Sequence, residues 1–91
     1  MKKVWLITGC STGFGRALAQ EVLAKDYHAV VAARNTDDIK DIIEAYPETA
    51  IAVRLDVTVA AEIKAAVETA LQRFGQIDVL VNNAGIGYFA A

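Results

Sequence analysis

Residues 6–20 read LITGCSTGFGRALAQ. An apolar run over residues 4–8 stops at a glycine. Further glycines stand at 13 and 15, and Phe14, Leu18 and Val22 recur four apart as one stripe of a helix that ends near Lys25 and Asp26. A short run that is apolar throughout suits a strand buried on both faces. The recurrence every four residues suits an amphipathic helix. The glycines between them are spaced G-x-x-x-G-x-G. Glycine permits a tight turn out of a strand and lets the backbone approach a pyrophosphate. The helix N-terminus behind it offers free N–H groups and a partial positive charge. A structural turn also uses glycine, but the flanking strand and helix are the context that a phosphate-holding loop requires.

The rest of the chain repeats this order. HAVVAA at residues 28–33 is a second strand-like run. Asn35 is a cap candidate, and Asp37 and Asp38 follow it in a first turn, where the helix dipole favours acids. Ile39, Ile42, Ile43 and Tyr46 then keep helical spacing until Pro47 stops the helix. Residues 50–55 read as a third strand. Thr58 is placed to cap a third helix whose Ile63, Ala66, Val67, Ala70, Leu71 and Phe74 form the longest apolar stripe, with Gly75 as terminator. Residues 77–81 read as a fourth strand, closed by Asn82, Asn83, Ala84 and Gly85. The order is βαβαβαβ. Short apolar strands joined by helices pair in parallel with right-handed crossovers, so the expected fold is α/β with one open, Rossmann-type parallel sheet. Those crossovers put the first two helices on one face and the third on the other, which leaves the three-layer α/β/α stack incomplete on both faces. No repeat or low-complexity linker divides residues 1–91.

Composition narrows the function. A net charge of −2 without a basic run argues against a nucleic-acid binder. Cys10 is the single cysteine, which excludes an internal disulfide and a cysteine-based zinc site and fits a reducing, cytoplasmic compartment. His28 is the single histidine and has no metal-binding companions, so no metal is expected. MKKVWLI starts like a signal peptide, but its apolar run breaks at Thr8 and Gly9. No stretch approaches the ~18 apolar residues that span a bilayer, so no membrane partner is expected.

Two more residues stand at strand ends, where open α/β sheets bind ligands. A site for NAD usually has an acid about 20 residues past the loop, on the ribose hydroxyls. Here that place holds Arg34. A guanidinium can bond a 2′-phosphate at two points; it can also be simply a solvated strand-end arginine. Asp56 ends the third strand in LDVT, where it can accept from the adenine amine, cap the loop before Thr58, or do both.

TGCSTGFG, LDVT and NNAG, in this order on a βαβαβαβ pattern, resemble the short-chain dehydrogenase/reductase family over the whole chain. The resemblance implies a strand order 3-2-1-4. It implies that Thr8, Gly9, Ser11, Thr12, Gly13, Phe14 and Gly15 bind the cofactor pyrophosphate, and that Arg34 gives preference for NADP(H) over NAD(H). By the same resemblance Asp56 meets adenine with Val57 beside it, and Asn83, Ala84 and Gly85 line the ribose and nicotinamide side. Asn82 is implied mainly as a brace of the central sheet. GCSTGFGRALA and NNAGIGYF look closest to members that act on retinoids, steroids and small carbonyls.

The family's proton chemistry uses a serine, a Tyr-x-x-x-Lys pair and an asparagine in the fourth helix. Tyr27 is followed at that spacing by Val31, Tyr46 by Ala50, and Tyr88 lies too close to Ala91. The chain therefore looks like a single dinucleotide-binding half-domain, cut off before the catalytic half. The whole would transfer hydride between nicotinamide and a carbonyl or alcohol substrate; these residues alone are expected to hold no catalytic residue and to be silent. The alternative is a non-catalytic minimal fold or self-associating module. A homo-oligomer is expected in either case, because the order 3-2-1-4 leaves an apolar fourth strand at an edge, with Asp78 its single charge. Of the remaining residues, Cys10 sits where a helix would stabilise a thiolate, or is a small loop side chain. Arg16 can touch phosphate or lie exposed in the first turn. Lys64 and Glu68 are read as a solvated pair, and Trp5 and Phe89 as packing groups.

Overall fold

Four strands pair in parallel in the order β3-β2-β1-β4. The computed structural model of the chain describes residues 2–83. β1 is Val4–Ile7, α1 Gly13–Ala24, β2 His28–Ala33, α2 Lys40–Ala45, β3 Ala50–Arg54, α3 Ala60–Phe74 and β4 Val79–Val81; a 3₁₀ turn, Thr36–Ile39, precedes α2. The expected order and topology are those observed. Ala84, Gly85, Tyr88 and Phe89 lie outside the described residues.

Alternation along the central strands builds two cores. Ile7, Ala29, Val31 and Ala33 face Ala19, Val22 and Leu23 of α1 and Ile39 and Ile42 beneath α2. Val4, Leu6, Val30 and Ala32 face Ala66 and Ala70 of α3. The small alanines let α3 sit close on the sheet, and each fully buried Ile or Val adds roughly 1.5–3 kcal/mol over its exposed state. Two helices thus cover one face and one covers the other. At the sheet edges the cover fails: Ala52 is exposed on the first face, and Leu80, in register with Leu6, is 63% exposed on the second.

Several local expectations are corrected. The buried stripe of α1 is Gly15, Ala19, Val22 and Leu23, one residue round from the expected one, and Phe14 is 64% exposed. The first turn of α1 is taken up by the glycine loop, so Gly15 rather than Phe14 faces inward. Asn35 does cap, accepting from the Asp37 N–H at 3.0 Å, but it caps the 3₁₀ turn, and α2 proper is short. Thr58 is not the cap of α3. Val59 holds that position without a side-chain bond, because the Thr58 hydroxyl is turned back onto Asp56. Ile63 and Leu71 were placed on the core stripe of α3 yet are exposed, since one helix alone on its face has no neighbour to cover its flanks.

β4 starts at Val79, two residues later than expected, because Asp78 is used to pin it. The Asp78 N–H donates to the Val4 carbonyl at 2.9 Å. Its carboxylate accepts the Val4 N–H at 2.8 Å and the Gln76 amide at 2.7 Å. These bonds, the one from Val4 foremost, hold its carboxyl below the ordinary 3.8. A lowered folded pKa gives stability that is present above the ordinary value and lost as pH falls through the folded one. The thermal midpoint should therefore fall below about pH 4. The variant Asp78→Ala, already less stable at neutral pH, should fall less over the same span. Parallel pH profiles for the two chains would contradict this account.

Candidate functional site

The strand order reverses between β1 and β4. A ligand crevice in an open α/β sheet lies outside the strand ends at such a switch point. Here the two loops that leave β1 and β4 are tied together. Thr8, 4% exposed, donates its N–H to the Val81 carbonyl at 3.0 Å. Its hydroxyl accepts the Asn83 N–H at 2.9 Å and lies 3.2 Å from Asn82 Oδ1. The Asn83 side-chain amide donates to the Gly9 carbonyl at 3.1 Å.

That tie explains Gly15. A Cβ there would stand 2.3 Å from the Gly9 carbonyl oxygen and 2.7 Å from Asn83 Nδ2, and the nearer of these is backbone that cannot swing aside. Gly13 serves a different need: nothing crowds it, but its φ is +63°, which other residues adopt at a cost. Thr12 is the extended N-cap of α1 and makes no side-chain cap bond, and the first turn holds no acid. The helix therefore presents backbone N–H groups and its positive end to the loop, the arrangement that accepts an anion. Ser11 is half-buried, while Thr12 and Phe14 are exposed beside it.

Cys10 is fully buried, and its thiol donates to the Ile7 carbonyl at 3.1 Å. Burial pushes its pKa up to about 11, which argues against a thiolate and fits a small loop side chain. Its N–H donates to the Ala32 carbonyl at 3.0 Å, which fixes the loop against β2.

Arg34 and Asp56 follow the ends of β2 and β3. Arg34 is exposed and its side chain makes no hydrogen bond or ion pair among the described residues. Asp56 Oδ1 accepts the Thr58 hydroxyl at 2.6 Å and the Thr58 N–H at 2.9 Å, so its loop-capping role is seen directly. Those bonds, with smaller help from the charges of Arg34 and Arg54, hold the Asp56 carboxyl below the usual range. Its Oδ2 takes part in neither bond. Val57 is half-buried against the α3-side core.

Three positioning contacts lie outside the sequence reading. Glu62 accepts the Asp56 N–H at 2.9 Å and pairs with Arg54 at 2.5 Å, holding the loop that carries Asp56. An acid in the first turn of α3 was the available signal for it. Asn83, expected along the ribose, is also the brace of the glycine loop. Arg16 reaches away from the loop, to the Asp38 carbonyl and the Asp41 carboxylate. Among the described residues no group of three or more side chains could hold a metal ion, and no helix is long and apolar enough to cross a membrane.

The uncapped end of α1, open at Gly13 and with Gly15 packed tightly against the Gly9 carbonyl, suits the pyrophosphate of a dinucleotide. Comparison with known proteins shows the family. The family model for short chain dehydrogenase matches residues 3–91. An uncharacterized oxidoreductase of Methylorubrum extorquens is 45% identical over 98% of this chain and 38% of its own length. A short-chain dehydrogenase from Streptomyces avermitilis superposes with a TM-score of 0.88 at 46% identity, over 93% of this chain and 31% of that one. A 3-ketoacyl-(acyl-carrier-protein) reductase from Brucella melitensis, complexed with NADH, gives a TM-score of 0.80 at 35% identity, over 86% of this chain and 32% of that one. The chain thus spans about a third of the length of these relatives.

Proposed function

The chain belongs to the short chain dehydrogenase family, and from that premise we propose that residues 1–91 are the part of an oxidoreductase that binds NADP(H) in preference to NAD(H). When bound, the nicotinamide supplies a hydride to, or takes one from, a carbonyl or alcohol carbon. The observation that carries the reading is the uncapped end of α1 behind the glycine loop, open at Gly13, with Arg34 following the neighbouring strand. In this reading the backbone of Gly9, Ser11, Thr12, Gly13, Phe14 and Gly15 holds the pyrophosphate, and Thr8 fixes the loop. Arg34 bonds the 2′-phosphate. Asp56, through the carboxylate oxygen that Thr58 leaves free, accepts from adenine beside Val57. Asn83, Ala84 and Gly85 meet the ribose and nicotinamide side. Residues 1–91 act as one half-domain. A cytoplasmic location belongs to the same reading and rests on the single, reduced Cys10.

The 91-residue chain by itself is catalytically silent in this proposal. None of its tyrosines is followed by lysine at the fourth position, so no positioned proton donor accompanies hydride transfer. Purified chain with NADPH and a panel of aldehydes, ketones and quinones should give no protein-dependent oxidation. Turnover that survives repurification and vanishes in Gly13→Asp would overturn the silence.

The edge of the sheet supports a second reading, a self-associating module. Among the described residues β4 presents an unpaired backbone edge without proline, and Leu80 lies open beside it. Such an edge templates pairing with another chain. We expect a homodimer or larger oligomer by sedimentation velocity at micromolar concentration, and a shift to monomer in Leu80→Lys, which keeps the core intact. A monomeric parent chain would refute the association and leave the nucleotide site untouched.

A further inference from the structure

We propose that Arg16 is a positioning residue that fixes where Arg34 meets the nucleotide; the inference rests on the reading of Arg34 as the 2′-phosphate ligand. Arg16 stands in the first turn of α1, immediately after the glycine loop. It is not a solvated surface side chain. Only 27% of the side chain is exposed. One end of its guanidinium donates to the Asp38 carbonyl at 3.0 Å, and the other is bonded to the Asp41 carboxylate. Among the described residues these are the side-chain hydrogen bonds that join α1 to the segment after β2.

That segment has little else to hold its outer side. It begins with Arg34, passes through the 3₁₀ turn capped by Asn35, and ends in an α2 too short to be stable alone. Ile39 and Ile42 anchor its underside. Among the described residues Arg34 itself makes no hydrogen bond or ion pair, so the backbone on either side sets its place. By gripping Asp38 and Asp41, Arg16 sets the span between the positive end of α1 and Arg34. A dinucleotide of fixed length must reach both. Asp41 also neutralises the Arg16 charge, so Arg16 serves as a strut and leaves the phosphate to Arg34.

The strut and a direct phosphate contact predict opposite results. Calorimetric titration of the parent chain, Arg34→Ala, Arg16→Ala, Arg16→Lys and Asp41→Asn with NADPH and NADH separates them. As a strut, Arg16→Ala should weaken NADPH by about tenfold while NADH changes by less than about twofold. Arg16→Lys should not rescue, because one ammonium cannot make the forked pair of bonds. Asp41→Asn, an exposed position that leaves the core alone, should weaken NADPH in the same direction. Tighter NADPH binding in Asp41→Asn would mean that a released Arg16 meets the phosphate itself, and would overturn the proposal. So would an NADPH preference that is lost in Arg34→Ala but intact in Arg16→Ala and Asp41→Asn; the reading of Arg34 would then stand alone. A parent chain without NADPH preference would overturn both.

Discussion

Gly15→Ala should remove nucleotide binding and lower stability by about 1–3 kcal/mol. The added methyl group has no space. It meets the Gly9 carbonyl at 2.3 Å and the Asn83 amide at 2.7 Å, and a carbonyl inside a tight loop moves only with the loop. In a domain of this size each kcal/mol lowers the thermal midpoint by roughly 4–8 °C, so the expected fall is on the order of 10 °C. Two controls localise the effect. Gly13→Ala meets no atom and bears only the cost of its positive φ, roughly 1–2 kcal/mol. Asn83→Ala in the Gly15→Ala background relieves the contact with the amide but not the one with the backbone, so it should not restore the parent midpoint. A parent-like midpoint for Gly15→Ala would show that the two loops are not packed as described.

Arg34→Asp should reverse cofactor preference, changing the ratio of NADPH to NADH affinity by roughly two orders of magnitude. The change removes a guanidinium that can make charge-assisted bonds to a 2′-phosphate. It installs a carboxylate that repels that phosphate and suits free ribose hydroxyls. Arg34 is exposed and makes no hydrogen bond or ion pair among the described residues, so the substitution should leave the thermal midpoint within about 4 °C, as surface changes usually do. Asp56 reports on the same charge, since Arg34 helps to hold its carboxyl low. The Asp56 pKa should rise in Arg34→Asp, which titration by NMR can follow. Binding ratios that do not move would remove Arg34 from the site.

The parts of this fold that sequence made legible are those whose signal is local. Strands apolar throughout, glycines between a strand and a helix, Pro47 after a helix and Gly75 at the end of another each act on their own neighbours, and the topology follows from crossover handedness. The misread positions depend on what packs where. Phe14 keeps the spacing of Leu18 and Val22, yet the glycine loop occupies the inner side of that turn and Gly15 takes the buried place. Thr58 has the chemistry of a cap, but Asp56 two residues earlier captures its hydroxyl. Ile63 and Leu71 share the period of Ala66 and Ala70, and only the narrowness of a four-stranded sheet leaves them open. At the site, the glycines were legible one by one. That Gly15 is closed off by Asn83, 68 residues on, and that Arg16 grips Asp38 and Asp41, are tertiary facts with no local trace.

The central claim is that the glycine loop at the open end of α1 and the cation at Arg34 together hold a dinucleotide bearing a 2′-phosphate. Parallel calorimetric titration of the 91-residue chain with NADPH and NADH tests it most directly. The account predicts saturable binding of NADPH, with NADH weaker by at least about tenfold. Equal affinities, a preference for NADH, or no heat with either nucleotide from a chain that melts cooperatively would contradict it.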